Sequence, residues 1–485
     1  MKNDEQKYPI DNLGLEITQR CNLSCLYCYL GKRDDSLLDM TQEIANQAIN
    51  LLFQNINPSR QPSITFWGGE PLLKFEVIKH TVEHCRTIEK GYNLQTKFSV
   101  ITNGTILNDE ILSFFDKEKI NIQISLDGTK PIHDYFRKNK NGQGSFQLIM
   151  NNLEKIKEYN KTNSYHNIIL KGTLTKRSSP ITKILEFFNE KELLYFLTPV
   201  SPTDFFNNKN VIPESTEITR QVKLQFSNWV SMFLKGKEIK NYLILNVLND
   251  LLTQSKKKHC CASGLSSFSI GADGKIYPCH RMFNNQDYII GDVWQGIDYK
   301  VTYTLFDHTI EEKEKCKDCV FLHTCSSTCP VNPQYRINSQ YIDPVFCEHS
   351  KALISEAIRF LIKINKYYPY KYSDLLRILN DNITDSLDEK SKFPFNEIKM
   401  TRNISSRFSN IILMKLNKVV VIDLEDNGIL YCSNDFDEKY IVNVTTMAIW
   451  DLIDGYHNAF DIAQELAIAC NVNVKDIEEK VYVQL

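Results

Sequence analysis

Six short runs in the first two hundred residues are apolar or alternate apolar with polar positions: Leu13–Thr18, Ser63–Trp67, Lys97–Thr102, Asn121–Leu126, Ile168–Leu174 and Leu194–Thr198. Each has the length and period of a strand. Between them lie stretches with helical spacing of apolar residues, such as Gln42–Gln54 and Phe75–Glu89. Strand alternating with helix implies parallel strands joined by crossovers. Six such units, over residues 10–200, predict an α/β domain closing partway into a (β/α)6 barrel. Its active site belongs at the C-terminal ends of the strands.

The pattern then changes. Residues 201–255 are lysine-rich with a helical run at Thr216–Leu234 and read as a bridge. Residues 256–350 are crowded with cysteine, and the Ile276-Tyr277-Pro278-Cys279 run after Ala272-Asp273-Gly274 reads as a β-hairpin. In residues 351–404 a helix over Lys351–Ile364 is followed by a Tyr-, Lys- and Asn-rich linker. In residues 405–485, three short strands are predicted at Val419–Asp423, Ile429–Ser433 and Tyr440–Val444, with turns at Asp426-Asn427-Gly428 and Asn434–Lys439. Three helices follow at Thr446–Ile453, Ala459–Ala469 and Lys475–Val483.

Composition narrows the classes. The chain has 485 residues, 42% hydrophobic and 24% charged, with net charge −2. No strong field points to nucleic acid or to a membrane surface, and the first residues, MKNDEQKYPID, lack the apolar core of a signal peptide. No run of 18 apolar residues would span a bilayer. Fourteen cysteines without an export signal argue for metal or redox work in a reducing, low-oxygen cytoplasm.

The chemistry begins at the end of the first strand. Cys21, Cys25 and Cys28 stand at C-x3-C-x2-C spacing with Tyr27 before the last. Three thiolates in so short a loop can hold three corners of a [4Fe–4S] cubane, leaving one iron open to a small molecule. Zinc ligands and structural thiols are the alternatives, although zinc sites usually pair their cysteines. Strand two runs into Trp67-Gly68-Gly69-Glu70-Pro71; its glycines admit close backbone approach, and Glu70 offers a carboxylate to an ammonium group. Taken alone, this is a glycine turn before a helix with Pro71 at its start. Strands three and four end in Thr102-Asn103-Gly104 and Ser125-Leu126-Asp127-Gly128, where Ser125 and Asp127 could reach ribose hydroxyls.

These motifs resemble the radical S-adenosyl-L-methionine (SAM) superfamily, whose fold is a partial TIM-like barrel. The resemblance implies that Cys21, Cys25 and Cys28 bind the SAM cluster and that Gly68, Gly69, Glu70 and Pro71 hold the methionine amino group. Asn103, Ser125, Asp127 and Arg137, the last in the His133-Asp134…Arg137 segment, then lie by the SAM site, and Tyr27 packs near adenine. By the same resemblance, one electron entering the cluster cleaves SAM to a 5′-deoxyadenosyl radical.

The later cysteines add a second resemblance. Cys261 is followed by twelve residues, Gly274, four residues and Cys279; then come Cys316-x2-Cys319-x5-Cys325-x3-Cys329 and, after seventeen residues, Cys347. This resembles the SPASM extension of radical SAM peptide and protein maturases. It implies two auxiliary [4Fe–4S] clusters and so three in all: Cys261, Cys279 and Cys329 on the first, Cys316, Cys319, Cys325 and Cys347 on the second. Cys260 or an open iron completes the first. A zinc ribbon at the C-x2-C pair is the alternative. A region this short and cysteine-rich is shaped by its metals.

His280 and Arg281 follow Cys279. In sulfatase maturases of this superfamily an aspartate follows that cysteine as proton acceptor. His280 is read as a base, a donor to cluster sulfur or a surface histidine. Cys85, Cys432 and Cys470 read as ordinary thiols.

The last eighty residues, with Ala448-Ile449-Trp450-Asp451-Leu452-Ile453-Asp454-Gly455 at the strand–helix junction, resemble a RiPP recognition element, the winged-helix-like α+β domain also known as the pyrroloquinoline quinone peptide chaperone. Such domains add the leader of a ribosomally made precursor peptide as an extra strand, here against Tyr440, Val442 and Val444. Residues 405–485 carry 6 Lys/Arg against 13 Asp/Glu, which disfavours nucleic acid and suits a basic leader or a solvated acidic face.

Together these readings predict a radical SAM maturase of a precursor peptide, forming a thioether, a C–C or C–O crosslink or an epimer. It would be fed by a small electron donor such as ferredoxin or flavodoxin. A sulfatase-type maturase and a non-catalytic iron–sulfur or zinc partner-binding protein are the other readings.

Overall fold

The computed structural model describes residues 9–31, 37–162, 167–203, 206–238, 240–253, 255–283, 285–306, 309–317, 319–326 and 328–383, together with the strands Val419–Leu424, Asn427–Cys432 and Lys439–Asn443. The chain divides into two compact units, residues 1–393 and 394–485.

In the first unit six parallel strands form consecutively: β1 (Asn12–Thr18), β2 (Ser63–Gly68), β3 (Lys97–Thr102), β4 (Ile120–Ser125), β5 (Ile168–Leu174) and β6 (Leu194–Pro199). Each pairs with the next in sequence order. Their side chains alternate faces, as a strand must. On β5, Ile168, Leu170, Gly172 and Leu174 are buried, while Ile169, Lys171 and Thr173 are half-buried. The buried set packs on the crossover helices: a Cβ on Gly172 would lie 3.5 Å from Phe188 of helix Ile181–Asn189. The half-buried set faces the other side of the sheet.

The helices start where the sequence supplies caps. Thr41 accepts from Ile44 N at 3.2 Å before Gln42–Gln54, and Asn108 from Ile111 N at 2.9 Å before Asp109–Glu118. Such caps satisfy amides left free in the first turn.

Three features depart from the sequence reading. First, the cysteine-rich region is not set apart from the barrel. Strand β7 (Ser267–Ile270) pairs in parallel with β1, Asn12–Leu15 against Ser267–Ile270, and β8 (Ile276–Tyr277) returns antiparallel to β7. The sheet thus has eight strands, ordered β6-β5-β4-β3-β2-β1-β7-β8. The hairpin itself matches expectation, with Gly274 at φ +81° in its turn. Second, the linker contains helix Tyr372–Ile383, which buries Leu375, Ile378 and Leu379. Third, the helix after the last cysteine begins earlier than expected, running Pro344–Tyr367 with Cys347 in its first turn. No helix among the described residues is long and apolar enough to cross a membrane.

In the second unit three antiparallel strands form as a meander, with Asn427–Cys432 in the middle. Leu424 pairs with Asn427, so Asn427 and Gly428 belong to the strand instead of the turn assigned to them. Val444 and the three expected helices lie outside the described residues.

Candidate active site

The three cysteines of residues 21–28 follow β1 directly, and the sheet and a neighbouring hairpin build their loop. Ser24 N donates to Lys138 O at 2.6 Å, Leu26 N to Phe136 O at 3.0 Å and Cys28 N to Cys25 O at 3.1 Å. Asn22 donates to Thr105 Oγ1 at 2.8 Å and accepts from Asn103 Nδ2 at 2.8 Å. Leu23 N lies 3.4 Å and Asn103 Nδ2 3.9 Å from Cys21 Sγ, both in donor position. Burial pushes the free Cys25 thiol up to about 12, opposed by Arg137 and reinforced by Cys28 and Cys21. Three adjacent thiols with N–H donors and a cation beside them fit an anionic, thiolate-ligated cluster, because the donors and the cation stabilise charged sulfur.

The glycine turn after β2 meets the end of β1. Gly69 N donates to Thr18 O at 2.8 Å and Glu70 N to Arg20 O at 2.9 Å. Gly68 has φ +132°, and a Cβ there would lie 2.2 Å from Thr18 O, so only glycine permits the approach. Glu70 turns inward. Its side chain is fully buried and accepts from Leu72 N at 3.2 Å, Thr102 Oγ1 at 2.7 Å and Asn103 N at 2.7 Å. The carboxylate therefore ties the ends of β2 and β3 together and caps the turn Pro71–Lys74, with most of its acceptor capacity used by the protein. Burial raises its pKa to about 7 against these three donors.

Asp127 also turns inward. Its carboxylate receives Arg137 Nε at 2.9 Å and Arg137 Nη2 at 3.2 Å, the Thr173 amide at 3.0 Å and the Tyr27 hydroxyl. Burial alone would raise its pKa; the guanidinium outweighs that and holds it below the ordinary carboxylate value. Such a carboxylate already has three protein partners, Arg137, the Thr173 amide and Tyr27. Tyr27 is packed by Phe136 at 5.2 Å between ring centroids, with Arg137 5.3 Å from its ring. His133 sits behind: Nδ1 accepts from Asp127 N at 3.3 Å and Nε2 faces Ser145 Oγ at 2.9 Å. Ser125, half-buried at the end of β4, pairs in register with Lys171 on β5.

A short turn, His280–Met282, spans the strand ends. The His280 ring stacks on Trp67 of β2 with centroids 3.6 Å apart, and Arg281 Nη2 donates to Ser201 Oγ, just past β6, at 2.8 Å. Burial, Lys171 and Arg281 hold the His280 pKa well below 6.5, so its ring is neutral near pH 7. Burial, then Arg281 and Arg137, pull Lys171 down to about 8. Trp67 and Lys171 were not singled out from the sequence. A lysine inside the apolar run IILKGTL was the available signal, since a charge at an alternating strand position belongs on a wet face.

The later cysteines gather in two groups. Cys260 lies beside Cys261 and Cys329, and its pKa is driven up by those thiols and by burial. Cys279 feels the charges of Cys329, Arg281 and Cys261, so the four thiols share one neighbourhood. In the second group, burial and the charges of Cys325 and Cys319 raise Cys347, while Cys319 N donates to Cys316 O at 2.9 Å. Among the described residues no three His, Cys, Asp or Glu side chains converge as ligands of one ion do; the corners of a cubane ask the thiolates to stand apart. Cys85 is buried and donates to Thr96 Oγ1 at 3.3 Å, an ordinary core thiol. In the second unit, Tyr440 pairs with Leu430 and Val442 with Gly428, which places both on the strand Lys439–Asn443.

Comparison with known proteins adds an independent observation. Residues 15–178 match the family model described as the Radical SAM superfamily. The chain is 28% identical over 376 residues to the cysteine-type anaerobic sulfatase-maturating enzyme of Clostridium novyi, covering 73% of this chain and 96% of the relative. It is 22% identical to the radical SAM cyclopropyl synthase TigE of Paramaledivibacter caminithermalis, covering 74% and 76%. In fold it resembles native anSMEcpe with bound AdoMet, with TM-score 0.61, 22% identity and coverage of 73% and 99%.

Proposed function

We propose, for a chain that is an enzyme of the radical SAM superfamily related to protein and peptide maturases, that it modifies a ribosomally made precursor peptide. The observation that carries this reading is the turn packed against the end of the cysteine loop, where the His280 ring meets Tyr29 at 5.6 Å between centroids. At the position after Cys279, where the resemblance gives sulfatase maturases an acidic proton acceptor, stands a neutral His280 stacked on Trp67 between Lys171 and Arg281. A ring so surrounded by cations is a poor proton acceptor. The product is a thioether, a C–C or C–O crosslink or an epimer.

Cys21, Cys25 and Cys28 would hold the [4Fe–4S] cluster, with Asn103 and the Leu23 amide supporting the thiolates. When bound, the cluster and SAM together supply a 5′-deoxyadenosyl radical, which takes hydrogen from the peptide. Gly68 and Gly69 let the SAM methionine part approach the backbone, and Ser125 faces it from β4. Asp127, Arg137 and Tyr27 fix the floor of that pocket, and Glu70 fixes its rim. Cys260, Cys261, Cys279 and Cys329 would hold one auxiliary cluster; Cys316, Cys319, Cys325 and Cys347 would hold another. That makes three clusters. Residues 394–485 would dock the leader along an edge strand, raising the concentration of the core peptide at the strand ends.

Sulfatase-type maturation is the second reading, favoured by the match along 96% of the Clostridium novyi enzyme. That relative is accounted for by 73% of this chain, and the remainder has no counterpart in it. The test is to reconstitute the full chain anaerobically with iron and sulfide. It is then incubated with SAM, a chemical reductant and either a sulfatase-derived cysteine peptide or short peptides encoded beside its gene. Mass change in an encoded peptide, with the sulfatase peptide untouched, is expected. Formylglycine in the sulfatase peptide would overturn the reading.

A further inference from the structure

We propose that Leu26, Tyr135, Lys138, Lys140 and Arg177 form the docking face for a small acidic protein that carries one electron on a flavin or an iron–sulfur centre. This inference rests on the assignment of Cys21, Cys25 and Cys28 to a cluster.

Leu26 lies between the second and third of these cysteines, yet 54% of it is exposed. An apolar side chain so exposed contributes little to the core, and it places the protein surface one residue from Cys25 and two from Cys28. The segment beside it is fixed. Leu26 N donates to Phe136 O, Ser24 N to Lys138 O, and Leu23 forms an antiparallel bridge with Asn139. Residues 135–140 therefore run alongside the cysteine loop as a rigid rim.

That rim is cationic and unpartnered. Tyr135, 38% exposed, is held between two cations, with Arg177 Cζ 3.8 Å and Lys138 Nζ 5.8 Å from its ring centroid. Lys140 is exposed on the adjoining turn. Among the described residues none of Lys138, Lys140 and Arg177 is ion-paired. Of the described carboxylates, Asp134 is engaged with Lys130 at 2.6 Å and Glu214 with Lys176 at 3.0 Å. Two cations gathered on one aromatic ring repel each other, and an anionic partner relieves that repulsion. A small apolar centre ringed by one sign of charge is the build of a transient redox encounter. Charge steers association there, and little area is buried.

At this face the carrier gives up one electron, flavin hydroquinone becoming semiquinone, and the cluster accepts it; no bond forms or breaks. Lys140 and the outer charges can therefore be changed without touching the thiols. The experiment uses the reconstituted full chain, wild type and Lys138→Glu/Lys140→Glu/Arg177→Glu, with flavodoxin as the probe. Formation of 5′-deoxyadenosine is driven either by reduced flavodoxin or by titanium(III) citrate. Binding of oxidised flavodoxin is measured separately by flavin fluorescence across a salt series.

The expected result is a flavodoxin-driven rate down about tenfold or more at low salt in the variant, with the titanium-driven rate unchanged. Flavodoxin binding should weaken by a similar factor and lose its salt dependence. A variant that binds and accepts electrons from flavodoxin like wild type would overturn the proposal. So would a variant that keeps flavodoxin binding but loses binding of a precursor peptide, since the face would then belong to the substrate. Absence of titanium-driven cleavage in the wild type would refute the site reading, while the binding series would still judge the face.

Discussion

The two thiol-bearing regions hold their cysteines by different means. The loop of Cys21, Cys25 and Cys28 hangs from β1 and is pinned by backbone bonds to residues 136–138, by Asn22 and Asn103, and by the buried Asp127–Arg137 pair beside Cys25. The region of Cys316 to Cys347 has little regular structure before its last helix: the single turns Ile310–Glu312 and Glu314–Lys317 and the five-residue helix Pro333–Ile337. Its order comes from a few polar contacts, such as Asn332 to Asp343 at 2.7 Å and Asp343 N to Thr328 at 2.9 Å. One site is prebuilt by the sheet. The other has only short elements before its last helix, so a group bound by its thiols would add much of its order.

The sharpest way to break this contrast is Cys25→Ser. The loop should keep its fold, because the surrounding bonds do not use the thiol, while SAM cleavage measured as 5′-deoxyadenosine should fall by at least about a thousandfold. A variant that still cleaves SAM would remove the first site from the chemistry. Next, removing residues 394–485 should leave SAM cleavage intact and slow processing of a full-length precursor by about 10- to 100-fold. Processing at the normal rate would end the docking role.

Cys325→Ser probes the other side of the contrast. About four irons should be lost, and hydrogen exchange should quicken over residues 309–343 while β1 to β4 stay protected. Uniform protection would show that this region folds on its own contacts. Arg137→Met tests the pinned loop: it leaves Asp127 buried and unpaired, so unfolding should become easier by about 3–5 kcal/mol in denaturant titration. The smallest effect concerns pH. His133 is buried and neutral, its pKa lowered from 6.5 to about 4 chiefly by burial. The unfolded chain binds the proton first, so stability present above pH 6.5 is lost as pH falls toward 4, by up to about 1.4 kcal/mol per pH unit. His133→Gln should flatten that part of the stability profile; an unchanged slope would assign it to other groups.

The barrel strands were legible because each is a short apolar or alternating run in a strand–helix rhythm. Lys97–Thr102 and Ile168–Leu174 coincide with the observed elements, three others differ by a residue at one end, and Asn121–Leu126 sits one residue late at both ends. The grouping of Cys260, Cys261, Cys279 and Cys329 was legible by spacing. The role of Glu70 and Asp127 was not, because a carboxylate at a strand end reads the same whether it faces a ligand or a neighbouring amide. Lys171, Trp67 and His280 lie on β5, on β2 and 213 residues beyond Trp67, and only the fold brings them to one mouth. The helix Tyr372–Ile383 was hidden by its polar composition, although Leu375, Ile378 and Leu379 keep helical spacing.

The pairing of β7 with β1 has a consequence for how the chain is made. The side of β1 turned away from β2 stays an open edge until residues 267–270 exist, about 250 residues later. At about 5–20 residues per second of synthesis, that edge waits about 10 to 50 s with its hydrogen-bonding groups unpaired. Open edges of this kind recruit other strands. The nascent barrel is therefore at its most aggregation-prone while the ribosome is still translating the bridge, and slow translation there should lower the yield of soluble enzyme.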